Sequence, residues 1–521
     1  MLAVSAPKAS AFAHLDDSKL GWFHLRAIIV SGVGFFGDAY DVFVIGLALP
    51  MVYRVYYPPN SGSSFADSTF QSDQPHIDAL MKASTSWGNL VGQLGFGYLG
   101  DKLGRKKMYG VELIIMIIAA IGSTLSSSAV RGFGILTVLG AWRFFLGIGI
   151  GGDYPMSATI TSEFAQVRNR GRMVAAVFAM QGIGILVGGL VTLIALVAFQ
   201  DKIREDPLNL DYVWRIMLGF GIIPALFTVY FRLTMPESPR YKVNVEGDIE
   251  GAMEDLKKAH VFESDDTITE VAKAPVEAAK PRRVVASSFS EYFGQWKNMR
   301  VLIGTCYCWF ALDIAWYGLT LNSQVVLTLI NYGGTKGASM YENFYQKAVG
   351  NIIIACMGTV PGYWVTVLLI ERLGRKPIQF LGFFVITIIL FILAIFYDNL
   401  SSNAPVFLTL YTIAQFFFNF GPNETTFVIP SEVFPTRFRS TAHGMSAAAG
   451  KLGAIIGVQA VGPFFKTNVK ICLFTFSFVM ATGFLATFLL PEPKGKTLEE
   501  ISGEYDEQDE VQDVAPKAEK A

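Results

Sequence analysis

The chain has 521 residues, of which 52% are hydrophobic and only 16% are charged, and its mean hydropathy is +0.41. Soluble domains carry about a quarter charged residues, so this composition excludes an ordinary soluble enzyme. The 42 basic residues nearly balance the 43 acidic ones, which removes the electrostatic basis for binding nucleic acid. The five histidines lack metal-ligand spacing and the four cysteines lie in apolar runs, so we expect no metal and no cofactor.

Long apolar runs recur along the whole chain and predict its helices. A bilayer core needs about 20 apolar residues per helix. The first six runs lie near residues 25–52, 84–103, 108–128, 134–160, 172–198 and 213–234. Six more lie near residues 300–331, 346–370, 377–397, 405–429, 440–465 and 469–490. The sequence therefore predicts an all-α membrane protein with twelve transmembrane helices.

A polar block divides these helices into two sets of six. We predict a cytoplasmic N-terminus at 1–24, an N-terminal bundle at 25–236, a cytoplasmic linker at 237–298, a C-terminal bundle at 299–490 and a cytoplasmic tail at 491–521. The orientation follows from Lys and Arg, which gather in the short turns after helices two, four, eight and ten, whereas the long segment 54–82 is poor in them. The start of the chain lacks a short apolar region with a cleavage site, so we expect no removable signal peptide.

Short fragments of the first half recur in the second half. The Gly-Arg-Lys at 104–106 recurs at 374–376, and the Ser-Glu at 162–163 recurs at 431–432, offsets of 270 and 269 residues. Arg168 and Arg170 follow the first Ser-Glu as Arg437 and Arg439 follow the second, and each half ends on Pro-Glu. Two repeated six-helix halves are the construction of rocking secondary transporters.

Acidic and basic residues at cytoplasmic helix ends can pair across neighbouring helices, and breaking such pairs is one way of changing conformational state. We predict a pair between Glu112 and Arg143 that joins helices three and four. The full set of predicted gating residues is Asp101, Arg105, Glu112, Arg143, Glu163, Arg375 and Glu432.

Several of these motifs resemble known transporter signatures. The stretch 97–106 resembles the loop 2–3 signature of the major facilitator superfamily, and 236–240 and 491–500 resemble its sugar-porter-like branch. The run 151–158, together with Thr-Ser-Glu at 161–163, closely resembles the signature of fungal and plant high-affinity proton-coupled phosphate transporters, as do 38–41 and 421–427. The resemblance covers nearly all twelve helices, and Met156, where Leu is expected, is a departure of similar volume. It implies the major facilitator fold and import of inorganic phosphate with protons across a plasma membrane.

Ionisable residues inside predicted helices mark a site independently of this resemblance, because a charge at a helix centre costs about 2.5–3.5 kcal/mol on insertion scales. The repeat offset then relates polar residues of the two halves. Asp41 corresponds to Asp313 (272 residues), Tyr154 to Asn423 (269) and Gln181 to Lys451 (270). We therefore expect helices one, four and five to face helices seven, ten and eleven around one central cavity.

The seventh helix carries one polar face of that cavity, because Trp309, Asp313 and Tyr317 follow at four-residue steps. A tetrahedral oxyanion can accept hydrogen bonds from hydroxyl, indole and amide donors. The resemblance assigns phosphate to the same positions, so the predicted substrate-binding residues are Tyr154, Gln181, Trp309, Asp313, Tyr317 and Asn423. Asp313 would repel phosphate as a carboxylate, so either it is protonated or the two share a proton.

Ionisable residues inside the predicted helices are also candidates for proton coupling. The predicted set is Asp38, Asp41, Asp153, Asp313 and Lys451, with Lys451 as the partner either of Asp41 or of the anion. The alternative for these residues is a static buried ion pair that only joins helices. For the whole chain, the alternatives are a sugar or other organic-solute proton symporter and a phosphate sensor that does not transport. The sequence shows no combination of a nucleophile and a base that would indicate an enzyme.

Overall fold

The computed structural model describes residues 21–58, 74–128, 133–248, 251, 288–329, 332–334, 339–465 and 467–503, and every regular element in these ranges is a helix. Twelve long helices, α1 to α12, account for most of them. Eleven are long and apolar enough to cross a membrane. The other, α2, is long enough at 29 residues but is less apolar.

The first six helices are α1 (His24–Tyr56), α2 (Pro75–Leu103), α3 (Arg105–Thr124), α4 (Ile135–Phe164), α5 (Val167–Ala198) and α6 (Pro207–Leu233). The second six are α7 (Trp296–Thr320), α8 (Met340–Leu373), α9 (Arg375–Ile395), α10 (Ala404–Val433), α11 (Thr436–Phe465) and α12 (Val469–Leu489). Short helices Pro239–Tyr241, Phe289–Phe293 and Leu498–Ser502 lie beside the ends of the two sets.

Each half packs its helices in the same way. In the first half, α1 packs on α5 and α4 packs on both α2 and α3; in the second, α7 packs on α11 and α10 packs on both α8 and α9. The halves meet along two equivalent seams, α2 against α11 and α5 against α8. Glycine allows the first of these approaches, because a Cβ on Gly444 would lie 2.3 Å from the Gln93 carbonyl oxygen.

Irregular turns interrupt the helices that surround the centre. In α10, the segment Ala404–Asn419 ends just before Pro422, which lacks the N–H needed to continue the ladder. In α6, the break falls at Gly221, where a Cβ would lie 2.0 Å from Asp41 Oδ1. α8 and α11 each contain a π-helical turn, Ala355–Thr359 and Ile456–Val461. Such turns are frequent at functional sites.

Two helix boundaries predicted from hydropathy are wrong. The second helix begins at Pro75 rather than near residue 84, because Lys82 pairs with Asp78 one turn away at 2.9 Å and both charges become buried in the helix. The seventh ends at Thr320 rather than near 331, and a separate short helix follows at Gln324–Leu329. Most of the predicted N-terminus, much of segment 54–82, most of the linker and the tail beyond residue 503 lie outside the described residues.

Candidate substrate and proton site

A chain of hydroxyl and amide groups crosses the centre between the halves. Gln181 Nε2 of α5 donates to the Tyr154 hydroxyl of α4 at 2.8 Å. The Tyr363 hydroxyl of α8 donates to Gln181 Oε1 at 3.0 Å and accepts from Asn423 Nδ2 of α10 at 2.7 Å. All four side chains are at most 3% exposed, so the chain lies in the buried interior of the molecule.

An ion pair lies beside this chain. Lys451 Nζ of α11 lies 3.1 Å from Asp313 Oδ2 of α7 and donates to the Tyr317 hydroxyl at 2.8 Å. The ammonium also lies 5.0 Å from the centre of the Tyr154 ring, so the pair adjoins the hydroxyl and amide chain. Lys451 is therefore the partner of Asp313. The predicted alternative, in which Lys451 pairs with Asp41, is wrong.

Aromatic rings enclose this polar centre. The Phe35 and Trp309 rings lie 5.0 Å and 6.2 Å from the Tyr154 ring, and Phe427 stacks on Phe178 at 4.5 Å. Trp309 packs against α11 at Gly450, where a Cβ would lie 2.4 Å from the indole Cδ1. The rings exclude water from the donors, and a dry surrounding strengthens each electrostatic contact inside it.

A second cluster of charges lies inside the first half. Arg232 of α6 contacts Asp153 at 2.7 Å and Glu112 at 3.0 Å, and all three side chains are fully buried. Asp38 lies close enough to Asp153 and Arg232 for their charges to interact. Glu112 thus pairs with Arg232, and the predicted pair between Glu112 and Arg143 is wrong because α6 supplies the cation.

Arg143 instead faces Asp41. The two charges lie close enough to interact, and no nitrogen of the buried Arg143 guanidinium has a hydrogen-bond partner among the described residues. Gly221 at the break of α6 leaves the space that the Asp41 carboxyl occupies. The first half therefore contains two acidic and basic sets, one around Arg232 and one around Arg143, and they adjoin where Asp38 and Asp41 interact.

Sequence reasoning missed two residues of these clusters. Tyr363 had a usable signal, since the 270-residue offset relates it to Gln93, another buried polar residue. Arg232 had no such signal, because an Arg near the end of an apolar helix is typical of a side chain that reaches the membrane surface. Its full burial follows from contacts with α3 and α4 that the sequence does not reveal.

The repeated charged turns meet in a symmetric network at one end of the bundle. Within the halves, Arg105 contacts Glu163 at 3.3 Å and Arg375 contacts Glu432 at 2.8 Å. Between the halves, Arg439 contacts Glu163 at 2.9 Å. The equivalent Arg170 contacts Glu432 at 3.3 Å. Each glutamate therefore binds one arginine from either half, and all of these side chains are at most 1% exposed.

Two further carboxylates join the halves through helix ends. Asp101 accepts from the backbone N–H of Thr441 at 2.7 Å, in the first turn of α11. Its counterpart Glu371 accepts from the backbone N–H of Arg172 at 3.1 Å, in the first turn of α5. Carboxylates at helix N-termini are favourable because they meet free N–H groups and the positive end of the helix dipole. These contacts also hold this end of the bundle closed.

The opposite end carries weaker links between the halves. Lys82 Nζ contacts the Asn322 side-chain oxygen at 3.3 Å, and the half-exposed pair Arg204 and Glu342 is 3.8 Å apart. A cavity of about 30 Å³ lies between the central site and this end, and its mostly apolar walls include the polar side chains of Thr320, Asn351 and Gln415. The described parts of the two halves thus touch at both ends and are more strongly tied at the end of the arginine network.

Comparisons with known proteins give the same class of molecule. The family model described as "Sugar (and other) transporter" matches residues 27–505. The repressible high-affinity phosphate permease of Neurospora crassa is 42% identical, covering 95% of this chain and 89% of its own. The inorganic phosphate transporter of Saccharomyces cerevisiae is 41% identical, covering 95% and 87%.

Among solved structures, a proton:xylose symporter of the major facilitator superfamily with bound 6-bromo-6-deoxy-D-glucose superposes with a TM-score of 0.71. It is 21% identical, with 93% of this chain and 99% of its own covered, so this likeness shows the fold. The predicted major facilitator fold is confirmed, and the relatives are transporters rather than enzymes. The chain therefore belongs to the sugar (and other) transporter family, in the group of these fungal phosphate transporters.

Proposed function

We propose that this protein imports inorganic phosphate by proton symport, through alternating access of the halves 25–236 and 299–490 around the central site. The names of its relatives, a phosphate permease and a phosphate transporter, support the substrate. The observation that carries the proposal is the buried pair of Asp313 and Lys451 beside the donors of Tyr317, Tyr154 and Gln181. An anion and a proton can both act on this pair.

The charge of the pair links proton and phosphate. With Asp313 ionised, its carboxylate neutralises Lys451 and repels an incoming anion. A proton on Asp313 removes that negative charge and leaves the Lys451 ammonium available to phosphate, whose oxygens can also accept from Tyr317, Tyr154 and Gln181. Asn423 and the indole N–H of Trp309 are the further donors that we assign to phosphate. Each ligand thus improves the site for the other, which is the reciprocal coupling that symport requires.

We assign proton transfer within the first half to the two carboxylate sets around Arg232 and Arg143. Asp38, Asp153 and Asp41 are its carriers, while Glu112 and Arg143 hold the charge balance as protons come and go. A buried carboxylate that shares an arginine with a second carboxylate can be protonated without leaving an uncompensated charge.

The arginine network is the cytoplasmic gate in this proposal. It consists of Asp101, Arg105, Glu163, Arg375 and Glu432, together with Arg170 and Arg439, which cross between the halves. Both termini and the linker are then cytoplasmic, as the basic turns indicate. The membrane is the plasma membrane, where an inward proton gradient and external phosphate are both available. Phosphate, protons and lipid are the partners, and the near-neutral composition gives no basis for nucleic acid.

The test is uptake of labelled phosphate by proteoliposomes that contain the purified protein. We expect accumulation when the outside is acidic and only equilibration when the pH is equal on both sides. Because the family also contains sugar transporters, labelled xylose and glucose are the matched controls, and we expect neither to be accumulated. Proton-driven sugar accumulation without phosphate uptake would contradict the proposal, and phosphate binding without any uptake would indicate a sensor.

A further inference from the structure

Glu424 is a buried carboxyl that the phosphate site does not use. It follows Asn423 at the start of the second segment of α10, and its side chain is fully buried. Neither carboxyl oxygen has a hydrogen-bond partner among the described residues. The other buried carboxyls of the described second half differ, because Asp313 pairs with Lys451 and Glu432 pairs with Arg375.

No cation among the described residues forms an ion pair or hydrogen bond with Glu424. Among the described residues, Tyr363 on α8 interacts electrostatically with Glu424, and also with Tyr154 on α4 and with Asp313 and Tyr317 on α7. On α9, the neutral Gln379 accepts a hydrogen bond from Thr425, the neighbour of Glu424. Lys451 binds Asp313, and the His443 ring nitrogen Nε2 lies 3.1 Å from the Phe427 carbonyl oxygen. Tyr363 is the residue on which the charge of Glu424 acts. An isolated ionised carboxylate at such a position is costly, so the closed conformation favours the protonated acid.

A polar stripe connects this position with the end of the bundle opposite the arginine network. Gln415 Nε2 donates to the Tyr411 hydroxyl at 2.8 Å, Asn419 Nδ2 to the Gln415 carbonyl at 2.7 Å, and Asn423 Nδ2 to Asn419 Oδ1 at 2.8 Å. Tyr411 and Gln415 also line the cavity of about 30 Å³. A cavity of this size with such polar groups in its wall can hold about one water molecule. Hydrogen-bonding side chains therefore follow α10 from this cavity up to the turn that carries Glu424.

We propose that Glu424 is a second proton-binding carboxyl of the C-terminal half, beside Asp313, and that it takes part in the transport cycle. Its carboxylate takes one proton from water while the end opposite the arginine network is open, and it keeps that proton as an acid when the site closes. It returns the proton to water when the arginine network opens. The inference rests on the proposed proton symport and adds one proton per cycle to that of Asp313.

The test compares Glu424→Gln with Glu424→Asp in proteoliposomes. The number of protons per phosphate is obtained from the pH gradient that just balances an opposing phosphate gradient. The amide imitates the neutral acid, so we expect Glu424→Gln to fold and to exchange phosphate at the wild-type rate while carrying one proton fewer. Its limiting accumulation should fall about tenfold per pH unit of gradient. Glu424→Asp should keep the wild-type proton number.

An unchanged proton number in Glu424→Gln would overturn the inference. Loss of folded protein in Glu424→Gln, with Glu424→Asp folded, would also overturn it, because the fold would then require an ionised carboxylate. Phosphate transport by the wild-type protein without proton movement is a different result, and it would overturn the proposed symport itself.

Discussion

At the scale of single residues, Gly450 sets the position of the Trp309 indole. A Cβ there would lie 2.4 Å from indole Cδ1 and 2.9 Å from Nε1, so Gly450→Ala must displace the ring from α11. We expect phosphate affinity to fall about tenfold, which is roughly 1.4 kcal/mol of binding free energy. Gly95→Ala is the matched control, because a Cβ at that position has no atom within 4 Å. Equal affinities of the two variants in a binding titration would contradict a role for the Trp309 position.

The residues of the central site could be predicted where both halves carry a polar group. Asp313, Tyr154, Gln181 and Asn423 stand out because the repeat relates each to a polar counterpart. Arg232 could not be predicted, since its burial depends on how α6 packs on α3 and α4. The partners of the buried charges could not be predicted either, because the sequence identifies charged residues but not the distances between them.

At the scale of elements, the short helix Leu498–Ser502 packs on the closed end of the bundle. Glu499 contacts Arg240 at 2.9 Å, and Leu498 is fully buried. Burial alone would raise the pKa of Glu499, but the adjoining Arg240 guanidinium holds it below its usual value. Because the pKa of Glu499 is lowered, its ionised carboxylate stabilises the docked helix at pH values above the ordinary pKa of Glu. That stability is lost as the pH falls through the folded-state pKa.

We therefore expect acidification below the ordinary pKa of Glu to release this helix. Amide hydrogen exchange of 498–502, followed from neutral to acidic pH, should show protection that declines in that range. Glu499→Gln should already reduce protection at neutral pH and remove the pH dependence. Wild-type protection at every pH in Glu499→Gln would contradict the role of this pair.

The sequence predicts that a helix is present more reliably than it predicts the residues at which the helix begins and ends. Apolar length identified the twelve long helices, because a membrane-spanning run is visible in the composition alone. It missed the first turns of α2, where Asp78 and Lys82 neutralise each other inside the helix. The π-helical turn of α11 is followed directly by Gly462 and Pro463, which mark a break in the helix but do not distinguish a π-helical turn from other breaks.

At the scale of the whole molecule, the two ends differ in how firmly they join the halves. Arg170 and Arg439 cross between the halves at one end as fully buried ion pairs, whereas the other end has Lys82 with Asn322 and the half-exposed pair of Arg204 and Glu342. The sequence indicated charged turns at repeated positions. It could not show that each glutamate binds an arginine of the other half, because that depends on how the halves approach.

Breaking this network should change the conformational equilibrium more than the substrate affinity. Arg375→Ala removes the closer arginine of Glu432, which keeps Arg170, and it removes the ion-pair partner of Glu371. Removing one member of a buried pair costs up to about 3–5 kcal/mol. A cysteine introduced at Thr159, which is fully buried, should then react with a membrane-impermeant thiol reagent from the gate side. Lys470→Ala, from an exposed pair at 3.1 Å, is the control. Unchanged labelling together with a large loss of phosphate affinity would contradict the gate.

The most direct test of the account is phosphate accumulation by Asp313→Asn in proteoliposomes with an imposed inward proton gradient, normalised to folded protein. The amide can still donate to phosphate but cannot take up a proton. We predict that the variant exchanges phosphate, loses proton-driven accumulation, and binds phosphate with little dependence on pH, while the wild-type protein accumulates it. Asp313→Glu should also fail, because an added methylene changes the contact with Lys451 and Tyr317. Wild-type accumulation by Asp313→Asn would contradict the central role of the Asp313 and Lys451 pair.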